Sequence, residues 1–191
     1  INQILDLHIH SKYSRACSPE LELSKIATAC AIRGIDIVAT GDFTHPKWFE
    51  SIKNELEEET EGVYKLKISK LVNTKFIIGT EVASIKKHKN KTRRVHLLIF
   101  APDILTAEKL NNKLEADGFN LRSDGRPILG MTSKELLEYI LNIDERMVMI
   151  PAHAWTPWFG IFGSKGGYDS LVEAFDELED KIFAIETGLS S

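Results

Sequence analysis

The sequence predicts an α/β fold, because apolar runs of strand length alternate with stretches of helical periodicity along its 191 residues. A hydrophobic fraction of 43% is sufficient for a packed core. Histidine supplies a second observation, since five of the six histidines fall at or near the ends of apolar runs. Strand ends on one side of an α/β sheet or barrel form the cleft where ligands bind. We therefore predict one domain with a metal site at its strand ends.

Five helices are predicted from periodicity and terminal signals. The first covers 19–33, with Ser18 as N-cap and Gly34 as the C-terminal stop. The second begins near Pro46 and the third near Thr106. The fourth begins at Thr132, which stands three residues before Glu135 in a capping-box pattern, and the fifth covers 170–180.

Six strands are predicted near residues 4–10, 35–41, 75–81, 95–100, 147–152 and 182–187. The segment between Glu81 and Val95 is highly charged and lacks helical periodicity, so we expect a hairpin-like loop that places Glu81 beside His96. Its six basic residues form either a solvated loop or a patch that steers phosphate. The acidic runs 55–61 and 176–180 are interpreted as solvated helix faces.

Composition excludes several classes of protein. A formal charge of −4 argues against a generally basic nucleic-acid binder. No apolar run approaches the roughly 20 residues of a membrane span, and no secretory signal is present, so a cytoplasmic location without membrane contact is expected. Cys17 and Cys30 fit neither a disulfide framework nor a CxxC motif, which indicates reduced thiols. A thiol ligand at Cys17 remains the alternative.

The candidate metal ligands come from several predicted strands. Residues alternate across a strand, so Asp6, His8 and His10 are expected on one face. Imidazole and carboxylate groups at strand ends hold Zn²⁺, Mn²⁺ or Fe²⁺ with positions left open for substrate. The set predicted to converge in one cleft is His8, His10, Glu81, His96 and His153.

Asp42 and His45 are further candidates, because they follow the predicted strand 35–41. Each would be a metal ligand or a residue that orients one. Asp42 could instead cap the turn that leads to Pro46. Both interpretations of Asp42 remain open from the sequence.

Ordered motifs at 6–11, 40–42, 79–81, 95–98 and 151–153 resemble those of the PHP (polymerase and histidinol phosphatase) superfamily. The resemblance spans nearly the whole chain. It implies a single domain over 1–191, a distorted (βα)7 TIM-like barrel that lacks its C-terminal part, because no late Asp ligand precedes Ser191. It also implies a metal-dependent phosphoesterase with two or three divalent ions, zinc, manganese or iron, and magnesium as a further option.

The motif positions imply roles for individual residues. His8 and His10 would hold the first metal, His96 and His153 the second, and Glu81 would bridge them. A third metal would need His45. Glu81 and Arg15 would then act in catalysis.

A narrower resemblance to the PHP domain of endonuclease Q is carried by 41–42, 45–48, 121–127 and 154–160. It implies hydrolysis of a phosphodiester, with DNA nicked on the 5′ side of deaminated bases or abasic sites. DNA is then the expected partner, together with a further nucleic-acid-binding region of the same protein after residue 191. Two alternatives remain: a phosphatase for a small phosphomonoester such as histidinol phosphate, and a non-catalytic structural module of a DNA-processing protein.

Two sets of side chains are candidates for binding substrate. Cationic groups match phosphate oxygens, guanidinium groups bidentately, and the candidates are Lys12, Arg15, Arg122 and Arg126. Aromatic residues around the Gly-rich stretch 160–167 follow neither helix nor strand spacing, which suits stacking on an extruded base. A hydrophobic lid or docking surface is their alternative role; the residues are Trp155, Trp158, Phe159 and Phe162.

Overall fold

The computed structural model describes residues 2–68 and 72–188. The chain divides into two compact units. Unit 1 comprises Ile1–Thr80 and Phe100–Pro127, and unit 2 comprises Glu81–Ile99 and Ile128–Ser191. Each unit combines strands with helices, so the predicted α/β class is confirmed. The assignment of 1–191 to one phosphoesterase domain stays a prediction.

Unit 1 is built on a sheet with the strand order β1-β2-β5-β4-β3. Strands β1, β2 and β5 are parallel, and β3 and β4 form an antiparallel hairpin beside β5. Fully buried apolar side chains from the helices and strands, among them Leu23, Val38, Trp48 and Phe76, form its core. The elements are β1 (Leu5–Asp6), α1 (Leu23–Arg33), β2 (Ile37–Ala39), α2 (Pro46–Glu55), β3 (Leu56–Thr60), β4 (Val63–Leu66), β5 (Lys75–His88) and α3 (Ile104–Ala116).

Unit 2 contains the second half of β5 and most of β6, which are joined by the two-residue turn Lys89 and Asn90. Both turn residues have positive φ, as a type I′ hairpin requires. Strand β5 also pairs with β7, and β6 pairs with β8. The remaining elements are β6 (Lys91–Ala101), β7 (Ile128–Leu129), α4 (Ser133–Leu141), β8 (Val148–Pro151), α5 (Leu171–Phe175) and a 3₁₀ helix (Asp176–Lys181).

The helix predictions were right in type and less accurate at the N-termini. Helix α1 begins at Leu23, four residues later than predicted, and its N-cap Glu22 makes no side-chain cap hydrogen bond. Ser18 and Pro19 therefore precede the helix. Gly34 ends it in the left-handed conformation, as predicted. The capping box of Thr132 and Glu135 is present.

Helix α3 begins earlier than predicted because Asp103 is its N-cap, with the Thr106 N–H donating to the Asp103 carboxylate. Helix α2 begins at Pro46, as predicted. The predicted fifth helix is divided into α5 and the 3₁₀ helix, so the acidic run 176–180 lies in a helical segment.

Two strand predictions and one helix-face interpretation need correction. The apolar run 4–10 yields only the two-residue β1, so His8 and His10 follow the strand instead of lying in it. The run 182–187 forms no strand, although the Glu186 N–H donates to the Pro151 carbonyl. The acidic run 55–61 is mostly β3 and not a helix face. Glu57 pairs with Lys65 on the adjacent strand β4, and Glu59 pairs with Lys75 on β5.

The basic segment between Glu81 and His96, predicted as a hairpin-like loop, is a regular β-hairpin whose two strands continue to a two-residue turn. Three of its six basic residues pair with acidic residues of unit 2. Lys86 pairs with Glu135, and Lys89 pairs with Asp176. Arg93, buried, pairs with Glu173. These pairings favour a structural role over the phosphate-steering patch.

A closed barrel is not seen. Within the described part of each unit the strands form an open arrangement, and the sheet of unit 1 ends at β1 on one side and β3 on the other. No helix among the described residues is long and apolar enough to cross a membrane. The cytoplasmic location stays a prediction.

Candidate metal centre

Three potential metal ligands meet in unit 2. The Glu81 carboxylate oxygen Oε1 lies 2.9 Å from His96 Nδ1 and 3.4 Å from His153 Nε2. The two ring nitrogens are 3.2 Å apart. Glu81 and His96 are buried, and His153 is partly exposed. Three donor atoms therefore form a triangle with one side open toward solvent.

The hairpin and strand β8 bring these residues together. Glu81 lies in β5 and His96 in β6, on the two arms of the hairpin. The Ala152 N–H donates to the His96 carbonyl at 3.0 Å, which aligns the end of β8 with β6. His153 comes next in the chain. The predicted neighbourhood of Glu81 and His96 is confirmed by their contact.

The triangle has the size that a metal ion requires. Ligands about 2.0–2.1 Å from a tetrahedral ion are roughly 3.3 Å from one another. The three sides of 2.9, 3.2 and 3.4 Å cluster around that value. Two imidazoles and one carboxylate also form the donor set of divalent zinc and non-haem iron sites with open positions. The centre is therefore suited to a divalent metal ion.

Thr156 determines which nitrogen of His153 can bind a metal. Its hydroxyl lies 3.0 Å from the His153 carbonyl and 2.9 Å from the Trp158 carbonyl, so the hydroxyl hydrogen is donated to a carbonyl. The hydroxyl oxygen is 2.8 Å from His153 Nδ1 and accepts from it. In the Nδ1–H tautomer, Nε2 is the ring nitrogen with a lone pair for a metal, and Nε2 is the nitrogen that belongs to the triangle.

Two other residues hold the centre in place. Phe159 stacks on the His96 ring with 4.2 Å between centroids, and its carbonyl accepts from the His96 N–H. The Glu186 carboxylate accepts from the His153 N–H at 2.7 Å. The sequence interpretation missed Thr156 and Glu186. The i, i+3 spacing of His153 and Thr156 is the one signal that could have indicated the former.

In unit 1, Asp42 orients His10. The Asp42 carboxylate lies 3.0 Å from His10 Nδ1 and accepts hydrogen bonds from the Ser11 N–H and the hydroxyls of Ser11 and Ser14. Burial raises the pKa of Asp42, but the hydrogen bonds from His10 and Ser11 outweigh it, and the net pKa is lowered. Asp42 is therefore an ionised partner that orients the His10 ring through Nδ1.

His8 and His10 are neighbours, with 5.4 Å between ring centroids. Both line a cavity of about 560 Å³ in unit 1, which Cys17 also lines. Burial raises the pKa of the Cys17 thiol, which disfavours a thiolate ligand. Both cysteines are free, as predicted. The convergence of His8 and His10 with the residues of unit 2 stays a prediction.

His45 was predicted to be a metal ligand or a residue that orients one, and this role stays a prediction. It is the N-cap of α2 and stacks on Tyr13 with 4.4 Å between centroids. It belongs to none of the groups of three or more close donor atoms found among residues 2–68 and 72–188. Burial lowers the pKa of His45. The structure gives no support for a third metal at this residue.

The predicted phosphate-binding residues all lie in unit 1. Lys12 pairs with Glu22 at 2.8 Å, and Arg15 with Asp124 at 3.3 Å. The Arg15 side chain is 85% exposed, which leaves its guanidinium accessible to an anion. The Arg126 N–H donates to Asp124, and Arg122 pairs with Glu115 at 3.4 Å. These ion pairs are weak competitors for a phosphate because they are exposed.

The aromatic residues after His153 divide into two groups. Trp155 and Trp158 are about half exposed, and Trp155 contacts Phe162 with 5.9 Å between centroids. These three can present rings to a ligand. Phe159 instead stacks on His96, so its ring is already in use within unit 2.

Sequence comparison identifies a relative in Methanocaldococcus jannaschii, the uncharacterised protein MJ0043. It is 31% identical over 153 residues, which are 80% of this chain and 16% of the relative. The chain thus spans a small part of that protein's length. No protein-family model matches the chain.

A solved structure with low sequence identity shows the fold. A metal-dependent phosphoesterase from Bifidobacterium adolescentis is similar over 96% of this chain and 76% of its own, with a TM-score of 0.54 and 12% identity. This chain therefore shares the fold of that protein, and its own histidine–glutamate centre is suited to a divalent metal ion.

The particular likeness is to endonuclease Q. The lesion-specific endonuclease Q of Pyrococcus furiosus matches at a TM-score of 0.80 and 32% identity, over 98% of this chain and 42% of that one. An endonuclease Q complex with a 27-mer duplex carrying an abasic lesion matches at a TM-score of 0.81 and 33% identity, again over 98% of this chain and 42% of that one. The chain is therefore endonuclease Q-like, as its motifs predicted, and these similarities support a metal-dependent hydrolase.

Proposed function

We propose that this chain is a metal-dependent phosphodiesterase domain of the endonuclease Q kind, which nicks DNA on the 5′ side of deaminated bases or abasic sites. The observation that carries the proposal is the donor triangle of Glu81, His96 and His153. Similarity to a lesion-specific endonuclease over nearly the whole chain supports the choice of substrate. The PHP-type (βα)7 barrel belongs to the same proposal.

The chain's own groups have defined tasks in such a reaction. A divalent ion held by the triangle would polarise a phosphoryl oxygen and lower the pKa of a bound water. Thr156 accepts a hydrogen bond from His153 Nδ1 and so orients that ring, and Asp42 orients the His10 ring by its contact with Nδ1. Glu81 contributes the negative charge that balances the ion. Zinc, manganese, iron and magnesium remain the candidate ions, two or three in number.

Substrate contacts form the second part of the proposal. Arg15 and Arg126 are proposed to bind backbone phosphate, and Trp155, Trp158 and Phe162 are proposed to stack on an extruded base. Arg15 is also proposed to act in catalysis. The comparisons do not support a contribution from a region after residue 191, and the proposal does not depend on one.

The test compares Glu81→Ala with Glu145→Ala, a control at an exposed glutamate of the same unit. Bound metal is quantified, and cleavage is measured on uracil, hypoxanthine, abasic and undamaged DNA and on histidinol phosphate. We expect Glu81→Ala to lose its bound metal and to cleave DNA at least about a hundredfold more slowly. This reduction in rate is larger than the usual effect of removing a residue that only orients a ligand. Undiminished nicking by Glu81→Ala contradicts the mechanism.

The substrate panel separates the alternatives. Hydrolysis of histidinol phosphate without DNA cleavage would indicate a small-molecule phosphatase. Metal binding without hydrolysis of any substrate would indicate a structural module.

A further inference from the structure

A second cavity in unit 1, of about 460 Å³, is lined by cationic and aromatic side chains. The metal centre of unit 2 contributes no residue to it. Its volume is in the range of pockets that hold nucleotide-sized ligands. The lining residues that matter here are Lys12, Tyr13, His45, Lys47, Arg122 and Ser123.

The charge of this cavity favours an anion. Lys12, Lys47 and Arg122 line it, and no carboxylate does. Lys12 and Arg122 have exposed acidic partners outside the lining, whereas Lys47 makes no ion pair within residues 2–68 and 72–188. An anion that entered would therefore face three cations, one of them with no competing acid.

The N-terminus of helix α2 also faces this cavity, since His45, Pro46 and Lys47 belong to its lining. The helix has ten residues, and its N-cap makes no side-chain hydrogen bond to the first turn. Helix N-termini carry partial positive charge and present N–H groups that anions satisfy. A phosphate here would act as the missing cap.

His45 provides an independent observation. It is 6% exposed, and its Nδ1 has no hydrogen-bond partner among the described residues. Tyr13 covers the ring by stacking on it. A buried polar atom without a partner is costly, and such atoms in native proteins commonly mark a bound water, ion or ligand.

We propose that this cavity binds a phosphate group, supplied either by a backbone phosphate of a DNA strand or by a free nucleotide. Lys47 and Arg122 are the principal contacts, with the first turn of α2 behind them. The inference rests on the proposed function only in naming DNA as one source, because phosphate binding here requires no metal and no hydrolysis.

The test measures binding to the full chain in EDTA, so that the metal centre takes no part. The probes are thymidine 5′-monophosphate, followed calorimetrically, and a fluorescein-labelled oligothymidylate, followed by anisotropy. We expect Lys47→Ala with Arg122→Ala to weaken binding about tenfold, since two exposed charge–phosphate contacts are removed together. Lys109→Ala, at an exposed lysine of α3, is the matched control, and Lys47→Arg should retain binding.

The two probes distinguish the sources of phosphate. A loss for both probes supports a site that accepts a free nucleotide, and a loss for the oligonucleotide alone supports a backbone-phosphate site. Equal affinities of the double variant and Lys109→Ala, or no binding of either probe by the unmodified chain, overturn the inference. Cleavage is not measured, so these results do not depend on the Glu81 experiment.

Discussion

At the scale of single residues, the partners of each histidine decide what it can do. His153 donates from Nδ1 to Thr156, and His10 contacts Asp42 through Nδ1. In both cases the contact at Nδ1 orients the ring, and a hydrogen-bonded Nδ1 raises the basicity of a ligating imidazole. His88, which contacts the Tyr168 hydroxyl at 3.0 Å, belongs to none of the candidate metal groups of the described residues.

The role of Thr156 can be tested directly. Thr156→Val keeps the shape of the side chain and removes the acceptor for His153 Nδ1–H, so the ring is free to change tautomer. We expect zinc affinity to fall about 10- to 100-fold, the usual effect of removing such a partner. Thr156→Ser should restore it. Competition with a chromogenic chelator measures the affinity, and equal affinity of the Val and Ser variants contradicts the assignment.

At the scale of elements, a buried arginine connects strand β6 to the Gly-rich stretch. The guanidinium of Arg93 donates to the Gly167 carbonyl and lies 2.6 Å from the Glu173 carboxylate. It also stacks over Tyr168, 4.3 Å from the ring centroid. Burial raises the pKa of Tyr168 to about 12, so this residue is neutral at physiological pH. Strand β6, which carries His96, is thereby attached to α5.

This connection predicts a pH-dependent stability. The Asp169 N–H and the charge of Arg93 hold the pKa of Glu173 below its ordinary value of 4.5. A carboxylate with a lowered pKa stabilises the folded state above 4.5, and that contribution is lost as pH falls through the folded-state pKa. We expect Glu173→Gln to lower the free energy of unfolding by about 1 kcal/mol at neutral pH.

Urea unfolding at neutral pH and near pH 3 measures this difference. The gap between the unmodified chain and Glu173→Gln should shrink at the lower pH. Glu145→Gln, at an exposed position of the same unit, should show little change at either pH. A gap that persists undiminished in acid would show that the carboxylate charge is not its origin.

At the scale of the whole molecule, metal binding should couple to stability. An ion that binds only the folded chain stabilises it by about 2.7 kcal/mol when present at a hundred times its Kd. We therefore expect EDTA to lower the Tm and abolish hydrolysis, and readded Mn²⁺ or Zn²⁺ to restore both. Differential scanning calorimetry provides the measurement. A Tm of Glu81→Ala that responds to EDTA as strongly as that of the unmodified chain would place the stabilising ion elsewhere.

Much of the fold was predictable because its signals are local. The capping box at Thr132, the C-terminal Gly34 and the start of α2 at Pro46 depend on residues within one or two turns of each other. The hairpin β3–β4 was missed because its glutamates resemble a solvated helix face. Only cross-strand lysines, distant in sequence, show that they lie in a strand.

The sequence by itself determined the α/β class, the likeness to endonuclease Q, and the neighbourhood of Glu81 and His96. Their signals are strand periodicity, the order of the motifs and a hairpin between residues close in sequence, and all three can be recognised along the chain without its tertiary structure. The tertiary structure alone decided the partners of each side chain. It attached Thr156 to His153, turned Phe159 onto His96 and placed His45 beside Tyr13. Such contacts depend on where backbone segments meet in space, and ring orientation and burial are not encoded in spacing along the chain.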